Sequence, residues 1–178
     1  GQSWSSITQP TGAKEYNRPM EFDKNNSLYV GNHDLFKYNN GAWIQKSNFT
    51  TDFGVSTNDP IRIVRISESN PNYIYISYSN PTWSSSFSKK IFKSTDGGNT
   101  WSDITTNLNQ IQWAGITDIG INSNNPEIIY VTMGGYWYDS NGNGINRVIH
   151  SSDGGITWQD YSDGLDRFPV NRIICTKS

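Results

Sequence analysis

An eight-residue motif occurs twice in this chain, and it constrains the fold more than any other feature. Residues 94–101 and residues 151–158 both read Ser-x-Asp-Gly-Gly-x-Thr-Trp. Asp-Gly-Gly favours a tight turn, because glycine adopts positive φ without a Cβ clash and aspartate accepts hydrogen bonds from nearby backbone N–H groups. The two tryptophans are 57 residues apart, which suits one supersecondary unit of a repeat fold.

The motif residues are predicted to be structural, since their neighbours supply no acid or base partner for catalysis. The tryptophan is expected to anchor the hairpin by burying its ring. The predicted structural residues are Ser94, Asp96, Gly98, Thr100 and Trp101 in the first copy, and Ser151, Asp153, Gly155, Thr157 and Trp158 in the second.

The two octamers resemble the Asp-box, also called the BNR repeat. This motif recurs in sialidases, in xyloglucan-active glycoside hydrolases, in the luminal domains of sortilin-type receptors and in large secreted bacterial proteins. In these families it lies in a hairpin of a β-propeller blade, so the resemblance implies that fold. It implies much less about function, because the families include both enzymes and binding proteins.

Composition narrows the class of protein. Aromatic residues make up 13% of the 178 residues, and 16 glycines accompany many Asn and Ser residues, as suits short strands joined by tight turns. The net charge is −2 without a basic stripe, which argues against a nucleic-acid partner. No apolar run has the length of a membrane span. Together with the resemblance, this composition favours a secreted or cell-surface protein, bacterial in type.

The strand pattern predicts an all-β chain that forms a partial β-propeller, with about three four-stranded blades plus flanking strands of two more. Residues 14–50, 51–107 and 108–163 are the predicted blades. Residues 1–13 are expected to be the outer strand of a preceding blade, and residues 164–178 the first strand of the next. Because propellers close with about four to eight blades, we expect a piece of a larger propeller, whose remaining blades belong to the same polypeptide.

Long connections carry the candidate binding residues. In a propeller the octamers lie between the third and fourth strands, so the long loops are expected on the opposite face. Aromatic rings on such a rim can stack on sugar C–H faces, although they can equally fill gaps between blades. The candidate glycan-binding residues are Trp83, Trp113, Tyr136, Trp137 and Tyr138.

A metal site has weaker support. Asp139, Asn141 and Asn143 resemble the first half of a calcium loop, but position twelve is His150 instead of Glu, so an Asn/Gly turn is the simpler interpretation. No cofactor is expected otherwise. The carboxylates expected near the loop face do not pair into an acid and a base from sequence alone. They are Asp52, Asp59, Asp118, Asp163 and Asp166.

Three functions remain open at this point. The first is a non-catalytic surface, adhesion or glycan-binding module that meets a carbohydrate or protein partner on the loop face. The second is part of a glycoside hydrolase of the xyloglucanase or sialidase type. The third is a peptide-binding propeller of the sortilin type. A sialidase would need an arginine triad, and the neighbours of Arg18, Arg62 and Arg172 do not support one.

Overall fold

A computed structural model describes residues 6–10, 18–78, 90–105, 108, 115–134, 148–165 and 169–176. These residues contain three four-stranded antiparallel sheets, each a simple meander in chain order. The first sheet comprises β1 (Met20–Phe22), β2 (Leu28–Gly31), β3 (Leu35–Asn39) and β4 (Ala42–Gln45). A short helix, α1 (Phe49–Phe53), follows it.

The second sheet comprises β5 (Ile63–Ile66), β6 (Ile74–Ser77), β7 (Ile91–Ser94) and β8 (Ser102–Asp103). The third comprises β9 (Gly115–Ile121), β10 (Ile129–Gly134), β11 (Val148–Ser151) and β12 (Gln159–Asp160). The first strands of the sheets lie side by side, with β5 in contact with both β1 and β9. The chain is therefore an all-β partial β-propeller, as the sequence predicts, with the first strand of each blade on the inside.

The strand registers explain why the three blades are equivalent. Val64 pairs with Ile76 in the second blade, and Ile119 pairs with Val131 in the third. These four side chains are buried, because alternate residues of a strand point to the same face and the neighbouring blade covers that face. In the second and third blades the fourth strand is only two residues long.

Two apolar cores join the blades. The core between the first and second blades is aromatic, and Phe49 of α1 lies at its centre, fully buried against Phe92 and Trp101. The core between the second and third blades is mostly aliphatic. Each core stabilises a joint between two sheets that could not bury their apolar faces alone.

The helix is a feature that the strand pattern did not predict. Asp34 Oδ1 accepts a hydrogen bond from the Phe49 backbone N–H at 3.0 Å, so this carboxylate lies at the helix start. Gly54 ends the helix in the left-handed conformation at φ 65°. The helix spans the predicted boundary between residues 50 and 51, and the blade boundaries stay predictions.

Both flanking segments lie against the nearest blade. Trp43 Nε1 donates a hydrogen bond to the Thr8 carbonyl, so the segment 6–10 lies beside β4. Residues 169–176 run beside β9 but form no ladder with a strand of the described part of the chain. No helix among the described residues is long and apolar enough to cross a membrane.

Candidate functional site

The two octamers form the same hydrogen-bonded turn. Ser94 Oγ donates to Asp96 Oδ1 at 2.8 Å and accepts from the Gly98 N–H at 2.8 Å. Thr100 donates to Asp96 with both its backbone N–H and its hydroxyl, at 2.9 and 2.7 Å. The second octamer repeats each of these bonds within about 0.1 Å, with Ser151, Asp153, Gly155 and Thr157 in the same positions.

These bonds fix the protonation state of both aspartates. Burial acts to raise the pKa of Asp96, but donors from Thr100, Ser94 and Asn99 outweigh it and lower the pKa from 3.8 to about 2. At Asp153 the hydroxyl and N–H of Thr157 are the main cause of a pKa lowered to about 2. Each carboxylate is therefore ionised at neutral pH and acts as a hydrogen-bond acceptor. This state suits a structural role and not proton transfer.

The octamers share one face of the blades with the turns between first and second strands. The Gly97 N–H donates to the Asn72 carbonyl at 2.9 Å, and the Gly154 N–H donates to the Glu127 carbonyl at 2.8 Å. The described connection between β2 and β3 and the one between the first two blades, residues 32–34 and 46–62, therefore lie on the opposite face. We refer to it as the connection face.

The predicted glycan-binding aromatics lie outside the described residues. This applies to the whole predicted set of Trp83, Trp113, Tyr136, Trp137 and Tyr138. The predicted calcium loop, with Asp139, Asn141 and Asn143, lies outside them as well. Among the described residues, no group of three His, Cys, Asp or Glu side chains is arranged to hold a metal ion.

The aromatic residue Phe53, in the connection between the first two blades, is described by the structure. It ends α1 and packs on Phe92 with ring centroids 4.7 Å apart, so it is half-buried in the joint between the first two blades. This ring fills a gap between blades and is not free to stack on a sugar.

The described carboxylates of the connection side divide into two groups. Asp52 in α1 and Asp163 after β12 are exposed. Asp59 and Asp118 are each only 3% exposed. Asp166 lies outside the described residues. A reactive pair must meet in a cleft, and burial removes Asp59 and Asp118 from direct contact with solvent.

Arg65 connects the inner strands of all three blades, a role that the local sequence pattern does not predict. Its guanidinium forms an ion pair with Asp118 on β9, and its Nη1 lies 3.8 Å from Glu21 Oε2 on β1. Its Nε donates to the Ile119 carbonyl at 3.1 Å. Burial raises the pKa of Glu21, Arg65 lowers it, and the net shift is upward.

Asp118 is held by several donors at once. Besides Arg65, it accepts the Ile119 N–H at 2.9 Å and the Ile173 N–H at 3.2 Å. A carboxylate bonded in this way has little capacity left to act as a base. The arginines considered for a triad have other surroundings, since Arg18 donates to Gln9 at 3.2 Å and Arg172 is exposed.

The two histidines have different surroundings. His33 Nδ1 is 3.2 Å from the Asp59 carbonyl, and its Nε2 is within hydrogen-bond reach of Thr50 Oγ1, so the ring ties two connections together. His150 is a β11 residue whose ring packs on Tyr130 with centroids 4.7 Å apart.

An open groove of about 470 Å³ lies on the free face of the third blade. Residues of β10 and β11 form its floor, the chain after β12 forms one wall, and residues 173–176 form the other. The aromatic residues that line it are Tyr130 and Tyr161. The strand pattern does not predict this groove.

Comparison with known proteins is informative at the level of the fold. No protein-family description and no curated protein matches this sequence. An ancestral GH74 enzyme is similar in structure with a TM-score of 0.53 and 18% identity, over 94% of this chain and 21% of the enzyme. At that identity, the likeness supports the β-propeller fold and nothing finer.

Two further GH74 structures have lower TM-scores. The Niastella koreensis enzyme has a TM-score of 0.49 and 21% identity, over 78% of this chain and 22% of the enzyme. The Xanthomonas campestris xyloglucanase has a TM-score of 0.43 and 11% identity, over 88% and 38%. The chain spans about a fifth of the length of the first two enzymes.

Proposed function

We propose that this chain is a segment of an exported propeller of the Asp-box class, and that it binds carbohydrate on its connection face without catalysing a reaction. The observation that carries the proposal is a difference between the two faces of the blades. On the octamer face, the polar groups of Asp96 and Asp153 are used up within their own turns. In the sequence, the segments that join second to third strands and one blade to the next are the longer ones.

The aromatic content of those segments supports a sugar ligand. The sequence between β6 and β7 contains Trp83, that before β9 contains Trp113, and that between β10 and β11 contains Tyr136, Trp137 and Tyr138. Aromatic faces pack well on the C–H faces of sugars, and an apolar ring with a polar edge suits a wet binding site. The fold that the chain shares with a carbohydrate-active enzyme agrees with this ligand class.

The surroundings of the inner carboxylates support a non-catalytic role. A glycosidase needs one carboxylic acid and one carboxylate on either side of the scissile bond. Here Asp118 accepts two backbone N–H groups, and Arg65 lies between it and Glu21. This arrangement favours a structural joint between blades.

A glycan array followed by affinity electrophoresis in xyloglucan tests the proposal. We expect the chain to be retarded by at least one polysaccharide, and Trp113→Ala or Trp137→Ala to weaken the retardation about tenfold or more. Tyr161→Ala is the matched control, because this ring is 60% exposed but lies beside the groove of the third blade. Equal retardation of wild type and both tryptophan variants would rule out the aromatic site.

A glycoside hydrolase is the second candidate, and one observation favours it. Glu21 has a raised pKa, as a general acid requires, and it lies in the same inner-strand network as Asp118. If this pair is catalytic, release of reducing ends from xyloglucan should be lost in Glu21→Gln and retained in Asp52→Asn. We expect the wild-type chain to release none, and release that depends on Glu21 would favour the enzyme instead.

A further inference from the structure

The outer hairpins of the three blades contain the same kind of dipeptide, an Asp or Asn followed by glycine. In the first blade it is Asn40-Gly41, between β3 and β4, and in the other two blades it is Asp96-Gly97 and Asp153-Gly154. In such pairs the glycine nitrogen can attack the side-chain carbonyl carbon of the residue before it, because glycine has no side chain to hinder the approach. The surroundings decide whether this happens, and they differ between the hairpins.

In the octamers both reacting groups are already engaged. The Asp96 carboxylate accepts the Thr100 N–H at 2.9 Å and the Thr100 hydroxyl at 2.7 Å, and an ionised carboxylate is a poor target for a nucleophile. The Gly97 N–H donates to the Asn72 carbonyl at 2.9 Å. The second octamer repeats each of these contacts, so we expect both octamers to be protected from the reaction.

In the first hairpin both groups are accessible. Asn40 is exposed, and within the described ranges its carboxamide makes no hydrogen bond and the Gly41 N–H has no acceptor. A carboxamide is neutral, so it is attacked more readily than an ionised carboxylate. Apart from its chain neighbours, no heavy atom lies within 4 Å of the place that a Cβ on Gly41 would take. The Asn40 side chain therefore has room to turn over the Gly41 nitrogen.

This hairpin is exposed although its tryptophan has the usual partner. Trp43 Nε1 donates to the Thr8 carbonyl, which is the contact that the octamer tryptophan of the second blade makes with Lys46. Gly98 stands three residues before its tryptophan, as Asn40 does, and Gly98 is buried whereas Asn40 is exposed. The difference thus lies in the tip of the hairpin itself.

Ring closure requires the backbone to leave the tight turn, in which Asn40 and Gly41 have φ angles of 48° and 86°. Only the end of the hairpin has to open, because Asn39 and Ala42 form the last pair of the ladder and both are exposed. A local opening of this kind costs much less free energy than global unfolding.

We propose that Asn40 is a site of spontaneous modification, at which the folded chain converts asparagine into aspartyl and isoaspartyl residues while the octamer aspartates stay intact. The Gly41 nitrogen loses its proton to hydroxide and bonds to Asn40 Cγ, the Cγ–Nδ2 bond breaks, and ammonia leaves. Water then opens the five-membered imide at one of its two carbonyls. One opening gives an aspartyl residue, and the other gives an isoaspartyl residue, which is a substrate for protein carboxyl methyltransferases.

The isoaspartyl product changes the hairpin as well as its charge. It adds one carbon to the main chain of a two-residue turn and one negative charge at its tip. The geometry of such a turn depends on its length, so we expect the pairing of Asn39 with Ala42 to be lost. The amides of β4 should then exchange faster with solvent than they do in the unmodified chain.

Incubation of the 178-residue chain at about pH 8 and 37 °C, followed by digestion at acid pH and peptide mapping by mass spectrometry, measures the reaction. We expect conversion at Asn40 to be at least tenfold faster than at Asn26. Asn26 is the matched control, because it is also exposed at positive φ, but the N–H of the next residue, Ser27, donates to Asp23 Oδ1 at 2.8 Å. Methyltransferase labelling should detect no isoaspartate in the two octamers.

The same chain in urea separates the effect of structure from that of sequence. Unfolding should start isoaspartate formation in both octamers and change the rate at Asn40 less than tenfold. Gly41→Ala should slow conversion at Asn40 at least tenfold in the folded chain and in urea, so the slowing cannot come from a disturbed hairpin. Ala42→Ser leaves the reacting pair unaltered and should keep the rate.

Conversion at Asn40 that is more than tenfold slower in the folded chain than in urea would overturn the proposal, because the turn would then protect the site. Equal rates at Asn40 and Asn26 would overturn it too. Isoaspartate in the folded octamers at the rate of Asn40 would show that their hydrogen bonds give no protection and would overturn the contrast between the hairpins. These readouts do not depend on glycan binding at the connection face.

Discussion

The two joints between blades use the same octamer but different means of attachment. At the first joint, Trp101 packs edge-on against Phe49 with centroids 5.1 Å apart, and its Nε1 donates to the Lys46 carbonyl at 2.9 Å. At the second joint, Trp158 packs against the aliphatic core, and its buried Nε1 has no hydrogen-bond partner within the described ranges. The first joint is therefore aromatic and anchored by the tryptophan.

At the second joint, polar contacts between blades take the place of the indole hydrogen bond. Lys93 forms an ion pair with Glu127, the Tyr75 hydroxyl donates to the Pro126 carbonyl, and Arg65 pairs with Asp118. The octamer thus determines its own turn. The attachment of one blade to the next depends on residues that lie outside the motif and differ between the joints.

The largest effect should come from removing the tryptophan of the first joint. Trp101→Ala is expected to lower the free energy of unfolding by about 3–5 kcal/mol, as large-to-small changes in packed sites do. Trp158→Ala should cost about 1 kcal/mol less, because it loses no indole hydrogen bond. Urea unfolding monitored by far-UV circular dichroism measures both, and equal losses would contradict the difference between the joints.

Replacing the octamer aspartates should have a smaller effect that is the same at both joints. Asp96→Ala and Asp153→Ala each remove an acceptor of several hydrogen bonds, which at about 1 kcal/mol net per bond gives a loss of about 2–3 kcal/mol. Thr95→Ala is a suitable control, since this exposed residue is the variable position of the motif. Losses that differ by more than about 1 kcal/mol between the two aspartates would show that the turns are not independent of their joints.

Acid titration tests the ionisation of the same aspartates. Their folded pKa of about 2 lies below the value of 3.8 for an unperturbed aspartate, so the unfolded chain binds protons first as pH falls. The stability they contribute is fully present above about pH 4 and is lost progressively towards pH 2. Urea midpoints should fall over this range in the wild type and fall less in the Asp96→Asn/Asp153→Asn double variant. Parallel curves would mean that other carboxylates control the acid response.

The local parts of this fold could be predicted from sequence, because they depend on residues close together in the chain. The strands of the first blade follow from alternating apolar residues, and Asn40-Gly41 supplies the two positive φ angles of the tight hairpin between β3 and β4. The two full octamers identify the other two outer hairpins. A repeat of known spacing then implies the propeller, and the fold comparison agrees.

The long-range parts could not be predicted, because their partners lie far apart in the chain. Arg65 contacts Asp118, 53 residues away, and a charged residue in an inner strand gives no sign of its partner. The helix α1 depends on Asp34 and on a pocket between two blades for Phe49, neither of which is visible in the local pattern. The groove on the third blade is lined by residues of β10 and β11 and of two later segments, and no single motif contains them.

The smallest predicted effect concerns one glycine of each octamer and differs between the two joints. Gly97 and Gly154 have the same place in the two octamers and similar φ angles of 72° and 69°, so alanine is strained at both. At Gly97 the nearest atom to a new Cβ is Asn72 Oδ1, at an ordinary 3.5 Å, whereas at Gly154 the Cβ would overlap Lys93 Nζ and Glu127 Oε2.

Gly154→Ala should therefore cost about 1 kcal/mol more than Gly97→Ala, because the ion pair between blades must move aside. The excess should disappear in a Lys93→Ala background, where the flexible end of Glu127 is free to turn away. Equilibrium unfolding of the four proteins measures it. If the excess persists without Lys93, the strain lies in the turn itself, and the two octamers differ locally in spite of their matching hydrogen bonds.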